Sequence, residues 1–172
     1  MGREVRRVPA NWEHPVRSDG VQHKPLLGHS YSERLLEWRR GKRQWARGLR
    51  FNYAEEKWVL LDDVGVDTWE EWEGDRPNPD DFMPDWSESE RTHYQMYETC
   101  SEGTPISPVM DSPEKLAGWL ADHGASAFAG MTATYEQWLA MIDEGSSVSM
   151  VVSGGRIMSG VEAIGEDAGA GQ

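Results

Sequence analysis

The side chains that could supply a nucleophile and a base are one cysteine and five histidines, spread along the chain. Cys100 lies close in sequence to His93, and His123 follows it, so a thiol–imidazole pair near residues 93–110 is one hypothesis for an enzymatic site. No local signature accompanies that pair, because the chain has no nucleophile elbow, no phosphate-binding loop and no dinucleotide-binding fingerprint. We therefore expect Cys100 to be a half-buried strand residue, and we predict a protein that is not an enzyme and uses no cofactor.

Residues 62–90 are the most acidic part of the chain, and tryptophans are interleaved with the carboxylates. Such a row of carboxylates can imitate the charge of a nucleic-acid backbone and occupy a basic groove on another protein, with the tryptophans adding contact area. The alternative is an acidic loop that its tryptophans fasten to the body of the fold. The residues that we assign to partner contact are Asp67, Trp69, Glu70, Glu71, Trp72, Glu73, Asp80, Asp81 and Trp86. The spacing after Asp62 does not fit an EF-hand loop, so we predict no metal site.

A second candidate contact face is basic and lies on a predicted helix at about residues 31–47. Its arginines fall on the side opposite the apolar stripe: Arg39, Arg40, Arg43 and Arg47. They could stay solvated, pair with residues 62–90 of the same fold, or contact a partner protein or phosphates. No aromatic residue is interleaved with this face, and the rest of the chain is strongly acidic, so we expect no direct binding of nucleic acid.

The charge is divided unevenly along the chain. Residues 1–50 carry 12 of the 17 lysines and arginines against 5 acidic residues, a net charge of +7. Residues 51–172 carry the other 5 basic residues against 25 acidic ones, a net charge of −20. A chain divided in this way either folds its two ends onto each other or presents two faces of opposite sign. Both outcomes concern contacts rather than catalysis.

The composition also bounds the location of the protein. No stretch approaches the ~18 apolar residues of a membrane span, and the N-terminus lacks the apolar stretch of a secretory signal. The single Cys100 cannot form an internal disulfide. We expect a reducing, intracellular location and no membrane partner.

The pattern of caps and turns predicts the elements that hold these residues. Ser30, with Glu33 three residues later, begins the helix at about 31–47, and two strands follow at 49–53 and 57–61. Residues 75–86 contain three prolines and are predicted to form a loop.

The second half of the chain has equally clear signals. Alternation over residues 93–98 predicts a strand, and residues 106–110 are expected to return beside it as an edge strand. Capped helices are predicted at 112–123 and 134–144, and a hairpin at 147–159.

These elements predict an α+β fold in a single domain, with an antiparallel sheet and about three helices packed on it. Residues 1–29 are expected to form an extended N-terminal arm or loop, with a short edge strand at 3–9. Residues 30–160 form the predicted α+β domain, and residues 161–172 a flexible tail rich in acidic residues and glycine.

Two stretches of the chain carry a family resemblance. The opening RRVPANWEHP at residues 6–15 and the stretch ERTHYQMYETCSEGTPISPVM at residues 90–110 resemble small accessory proteins encoded by tailed bacteriophages and prophages. The resemblance implies a phage accessory protein acting in the cytoplasm of a bacterial host, but it implies no activity and no site residues. Residues 51–89 depart from that family and are the region where its members would differ in target.

Three hypotheses for the function follow. The first is a non-enzymatic protein that binds and modulates a host protein, such as an inhibitor of a CRISPR effector, with residues 62–86 as its contact surface. The second is a virion or assembly component that self-associates through its acidic and basic faces. The third is an enzyme with an unfamiliar site near residues 93–110. The oligomeric state and the partner stay open.

Overall fold

The computed structural model describes residues 2–62, 64–99 and 103–170. In chain order its elements are β1 (Arg3–Val8), α1 (Tyr31–Trp45), β2 (Leu49–Asn52), β3 (Lys57–Leu60), α2 (Trp69–Glu73), a 3-10 turn (Pro79–Asp81), β4 (His93–Glu98), β5 (Thr104–Pro105), α3 (Pro113–Asp122), α4 (Tyr135–Glu144), β6 (Ser146–Ser147), β7 (Met150–Ser153), β8 (Arg156–Ser159) and α5 (Gly160–Ala170). The predicted α+β class is confirmed.

The contacts along the described chain divide it into two compact units. Unit 1 contains the chain up to Leu26 and from Trp86 onward. Unit 2 contains Leu27–Asp85, which is the basic helix and most of the acidic segment.

Strand β1 lies inside the sheet of unit 1, whose strand order is β5-β4-β1-β6. It pairs antiparallel with β4 along its whole length and with β6 at Arg3 and Glu4. The predicted edge strand at residues 3–9 is therefore wrong, and the predicted N-terminal arm begins with a strand of the sheet. The sequence concealed this because Arg3 and Arg6 are buried together with Val8, so β1 lacks the alternation of a half-buried strand.

Strand β4 is confirmed, but its return strand differs from the prediction. The pairing is made by β5 and by a single bridge between Tyr94 and Met110 rather than by a continuous strand over residues 106–110. Between the two, the Oγ of Ser107 accepts a hydrogen bond from the Met96 N–H at 2.9 Å. The prolines of this stretch interrupt the strand because they lack the N–H that a ladder needs.

Helices α3, α4 and α5 share a buried core with the sheet. Its members are Met96, Leu116, Ala117, Leu120, Ala127, Trp138, Met141, Ile142 and Val161. The local caps form as predicted: Ser112 accepts from the Lys115 N–H, and Thr134 and Gln137 form a capping box.

The third helix of this core is α5, and it lies where the sequence predicted a flexible tail over residues 161–172. Val161 is fully buried, Ile164 packs on the same core, and the guanidinium of Arg156 pairs with Glu162 and Glu166. Glycine and acidic residues are typical of tails, but two apolar residues at helical spacing were enough to bury one face here. Residues 171 and 172 lie outside the described part of the chain.

Unit 2 is built from α1, α2, the β2–β3 hairpin and the 3-10 turn. The Oγ of Ser30 accepts from the Glu33 N–H and begins α1 as predicted. Strands β2 and β3 pair from Leu49 opposite Leu60 onward. Phe82, just after the 3-10 turn, is buried and fastens the predicted loop.

Candidate functional site

Helix α2 positions the acidic segment of unit 2. At its N-terminus the Thr68 Oγ1 accepts from the Glu71 N–H at 3.2 Å, while the Glu71 carboxylate accepts from the Thr68 N–H at 3.0 Å. Trp69 is 6% exposed, and its ring centroid lies 6.5 Å from that of Trp38 and 6.0 Å from that of Trp45. Trp69, which the sequence assigned to partner contact, is therefore a core residue.

The ring of Trp69 lies directly against Gly41 in the middle of α1. A Cβ at position 41 would collide with the ring atoms of Trp69. Glycine in a helix interior weakens the helix, and the structure gives the reason for glycine at this position: it leaves the space that the Trp69 indole fills.

Two carboxylates of α2 pair with basic residues on α1. The guanidinium of Arg34 donates to Glu73 at 2.7 Å, and this carboxylate is only 15% exposed. The ammonium of Lys42 pairs with Glu70, and that hydrogen bond lowers the pKa of the Glu70 carboxyl. The acidic segment therefore pairs with its own basic helix, but through Arg34 and Lys42 rather than through the four predicted arginines. Glu70 and Glu73 hold α2 in place.

Three side chains in and around α2 are exposed to solvent, and two of them belong to the predicted contact set. Trp72 is 37% exposed, and its ring centroid lies 5.7 Å from that of Trp45. Asp67 is exposed, and so is Asp75, which the sequence did not single out. Within the described ranges neither side chain has an ion-pair partner. These three side chains are available to a partner.

The other members of the predicted contact set differ in their roles. Asp80 and Asp81 lie exposed in the 3-10 turn. Trp86 belongs to unit 1, where its ring centroid lies 4.7 Å from that of Trp12. The predicted surface over residues 62–86 therefore draws on both units.

All four predicted arginines of the basic face are exposed, but only Arg39, Arg40 and Arg43 lie on α1, because the helix ends at Trp45 and Arg47 follows in the turn after it. None of these guanidinium groups has an ion-pair partner among residues 2–62, 64–99 and 103–170. The expectation that no aromatic residue accompanies this face needs correction at Arg40, whose guanidinium lies 6.0 Å from the centroid of the Trp58 ring.

Arg40 also borders a groove of about 210 Å³ in unit 2. The β2–β3 hairpin lines it with Phe51, Tyr53 and Trp58, whose rings meet edge to face at centroid distances of 5.1 and 5.3 Å. Sequence analysis did not identify this groove. The signal was present as aromatic residues in two short strands directly after the basic helix.

The region of the hypothetical enzymatic site contains a buried polar network in unit 1. The Tyr97 hydroxyl accepts from the Trp12 indole N–H at 3.1 Å and donates to Gln95 Oε1 at 2.8 Å. Burial raises the pKa of Tyr97 to about 12. The guanidinium of Arg6 lies 4.3 Å from the centroid of the Tyr97 ring. The groups of this network satisfy one another.

His14 completes the network. Its Nε2 lies 2.7 Å from the Lys24 carbonyl oxygen, and its Nδ1 lies 3.3 Å from the Tyr97 hydroxyl. Burial is the largest influence on the pKa of His14 and lowers it. On the exposed side of the same region, His93 Nδ1 lies 2.9 Å from the Thr92 hydroxyl. Cys100 lies outside the described residues.

In the part of the chain that the structure describes, no group of three or more His, Cys, Asp or Glu residues is arranged to hold a metal ion. No helix in the same ranges combines the length and apolar character needed to cross a membrane. Comparison of the chain with known protein families, with curated proteins and with solved structures found no match.

Proposed function

We propose that this protein acts by binding another protein rather than by catalysis. In this proposal it is a phage-encoded accessory protein that modulates a protein in the cytoplasm of the bacterial host, and inhibition of a defence complex such as a CRISPR effector is the role that fits its acidity. The partner would bind this acidic protein through a basic groove that normally holds nucleic acid.

The observation that carries the proposal is that some residues in and around α2 anchor the helix to α1, while others stay exposed to solvent. Trp69, Glu70 and Glu73 anchor the helix to α1. The same anchoring holds Trp72 at the surface, with the exposed carboxylates of Asp67 and Asp75 nearby in the chain. A partly exposed tryptophan close in sequence to unpaired carboxylates is the composition of a hot spot for a basic partner.

The buried polar groups support a role outside catalysis. Tyr97, Gln95 and His14 bond to one another and to backbone carbonyls, so their hydrogen-bonding capacity is used within the fold. A general base needs to reach the proton of a substrate, whereas these groups are buried and already paired.

Self-association in a virion or assembly is the second candidate function. It is favoured by the unpaired arginines on α1, which are opposite in sign to Asp67 and Asp75. Sedimentation of the purified protein over a hundredfold range of concentration tests it. Growth in mass that moderate salt reverses would support assembly, and a constant monomer mass would exclude it.

The direct test of the first proposal is a pull-down of the tagged protein from bacterial lysate at low and moderate salt, with and without nuclease. We expect a stoichiometric host protein that survives nuclease and is lost with the triple variant Asp67→Asn, Trp72→Ala and Asp75→Asn. The control variant Asp122→Asn and Glu136→Gln removes two exposed carboxylates elsewhere and should retain the partner.

Two results would contradict the proposal. Recovery of nucleic acid alone would assign binding to the arginines of α1. Equal recovery by the wild type and the triple variant would remove α2 from the contact surface.

A further inference from the structure

Unit 1 contains an open cleft of about 730 Å³, which we call the acidic cleft. Helices α4 and α5 form two of its walls, and the chain from β6 to β7 forms the third. Its apolar lining comes from Ala140, Val148, Val151, Ala163, Ile164 and Ala168. Val148 is 64% exposed, so apolar surface is open to solvent here.

Small residues create the space. Gly160, where β8 meets α5, is buried, and a Cβ there would collide with the backbone of Val148. A Cβ at Gly165, further along α5, would lie 2.6 Å from the Cγ of Gln137 on α4. The two glycines therefore allow α5 to approach α4 and the chain before β7 closely, and the short side chains of Ala140 and Ala163 line the cleft between the helices.

The ionisable residues that line the cleft all carry negative charge. Asp143 and Glu144 stand at the C-terminal end of α4, and Asp167 stands on α5; all three are exposed. None of them has an ion-pair partner within the described chain. The only arginine in this part of the chain, Arg156, pairs with Glu162 and Glu166 instead.

The position of Asp143 and Glu144 is unfavourable for the fold itself. The C-terminal end of a helix carries partial negative charge, so acidic side chains there are repelled and basic ones are attracted. The carboxylates and the end of α4 therefore add to one negative field at the mouth of the cleft. A ligand that brings positive charge would relieve this repulsion.

We propose that the acidic cleft binds a cationic amphipathic helix of a partner protein. The apolar face of such a helix would lie on Val148, Val151 and Ile164, and its Lys or Arg residues would face Asp143, Glu144 and Asp167. The alanines of α4 and α5 would allow close approach. This inference concerns a surface of unit 1 and stands independently of the α2 surface of unit 2.

The test uses the full chain and a labelled 18-residue helix-forming peptide, with leucines at i, i+3, i+4 and i+7 spacing and lysines elsewhere. Fluorescence anisotropy at two salt concentrations measures its affinity. We expect saturable binding at one peptide per chain, and a scrambled peptide of the same composition should bind at least tenfold more weakly, because it has no continuous apolar face.

Variants of the cleft locate the binding site. Asp143→Lys with Asp167→Lys should weaken binding at least tenfold, whereas Asp122→Lys with Glu136→Lys, the same charge change elsewhere in unit 1, should weaken it less than threefold. Ala163→Trp should weaken binding by filling the cleft without changing its charge. The unfolding midpoint of each variant identifies any that fails to fold, and the scrambled peptide remains decisive in that case.

Several results would overturn the proposal. An equal loss in both lysine pairs would show that the peptide responds only to net charge. Equal affinity for the scrambled peptide, or no binding at all, would remove the amphipathic helix as occupant. Self-association of the protein that the Asp143 and Asp167 variant abolishes would make a second copy of this chain the occupant instead. The Asp67 and Asp75 variants probe unit 2, so either proposal can fail alone.

Discussion

Two buried arginines of β1 and the arginines on the outer face of α1 show two uses of the same side chain. Arg3 is 1% exposed and Arg6 is 9% exposed. Arg3 donates to the Ser126 carbonyl at 2.8 Å, and Arg6 donates to the Leu26 carbonyl at 2.8 Å and pairs with Glu4. On α1, Arg39 and Arg43 are exposed, and neither forms an ion pair with any described residue.

The comparison teaches that net charge along the chain does not locate a contact surface. A buried guanidinium needs partners, because leaving water is costly for a charge. Arg3 and Arg6 are therefore committed to the fold, although the sequence counts them in the same basic stretch as the arginines of α1. Only the second group can exchange water for a partner.

The largest effect that we predict is on stability, at Arg3. Arg3→Met should lower the free energy of unfolding by about 3 kcal/mol, because it leaves the Ser126 carbonyl and Glu98 without their buried partner. Arg43→Met makes the same change on the outer face of α1 and should behave as an ordinary surface substitution. Urea unfolding of both variants measures the difference, and equal losses would break the comparison.

The inner face of α1 gives the next largest effect. Gly41→Ala should destabilise by about 1–3 kcal/mol, because the new Cβ meets the Trp69 ring. Gly118→Ala in α3 meets no atom within 4 Å and should stabilise by up to about 1 kcal/mol through helix propensity. Thermal unfolding of the two variants should shift the midpoint in opposite directions. A neutral Gly41→Ala would show that Trp69 does not fix α2 to α1.

A smaller, pH-dependent effect is expected at His14, which lies in the same buried network as Arg6. Burial lowers the pKa of His14 in the folded state below its ordinary value of about 6.5. As the pH falls through that value, His14 therefore binds a proton more readily in the unfolded chain than in the folded protein. Stability contributed by neutral His14 should therefore be present above that pH and decrease below it. His14→Gln should lose less stability than the wild type between pH 7.5 and pH 5.5 in urea unfolding; identical losses would contradict this.

Local signals predicted much of the fold. The starts of α1, α3 and α4 follow from Ser30, Ser112 and Thr134, since capping depends on residues three apart in the chain. The interior position of β1 was not predictable in this way. Its pairing with β4 and β6 is long-range. Its buried arginines are residues that are typical of an exposed strand.

The candidate sites were predictable only in part. The acidic and basic segments were identified, but the side of α2 that faces α1 depends on Gly41 and Trp69, which are far apart in sequence. The acidic cleft was missed, although residues 111–172 carry nine acidic residues against Lys115 and Arg156. The reason is that α5 was predicted as a tail, so the cleft lacked one of its walls.

The central claim is that unpaired charges bind the partner while paired charges hold the fold. Two variants of the acidic segment test it with equal loss of charge: Asp67→Asn with Asp75→Asn, and Glu70→Gln with Glu73→Gln. The measurement is the amount of partner retained from bacterial lysate per folded protein, determined for both variants at the same salt concentration. The account predicts that the Asp67 and Asp75 variant loses the partner while its unfolding midpoint is unchanged. It predicts that the Glu70 and Glu73 variant has a lower unfolding midpoint, while its folded fraction retains most of the partner. Equal loss of the partner by both variants would contradict it.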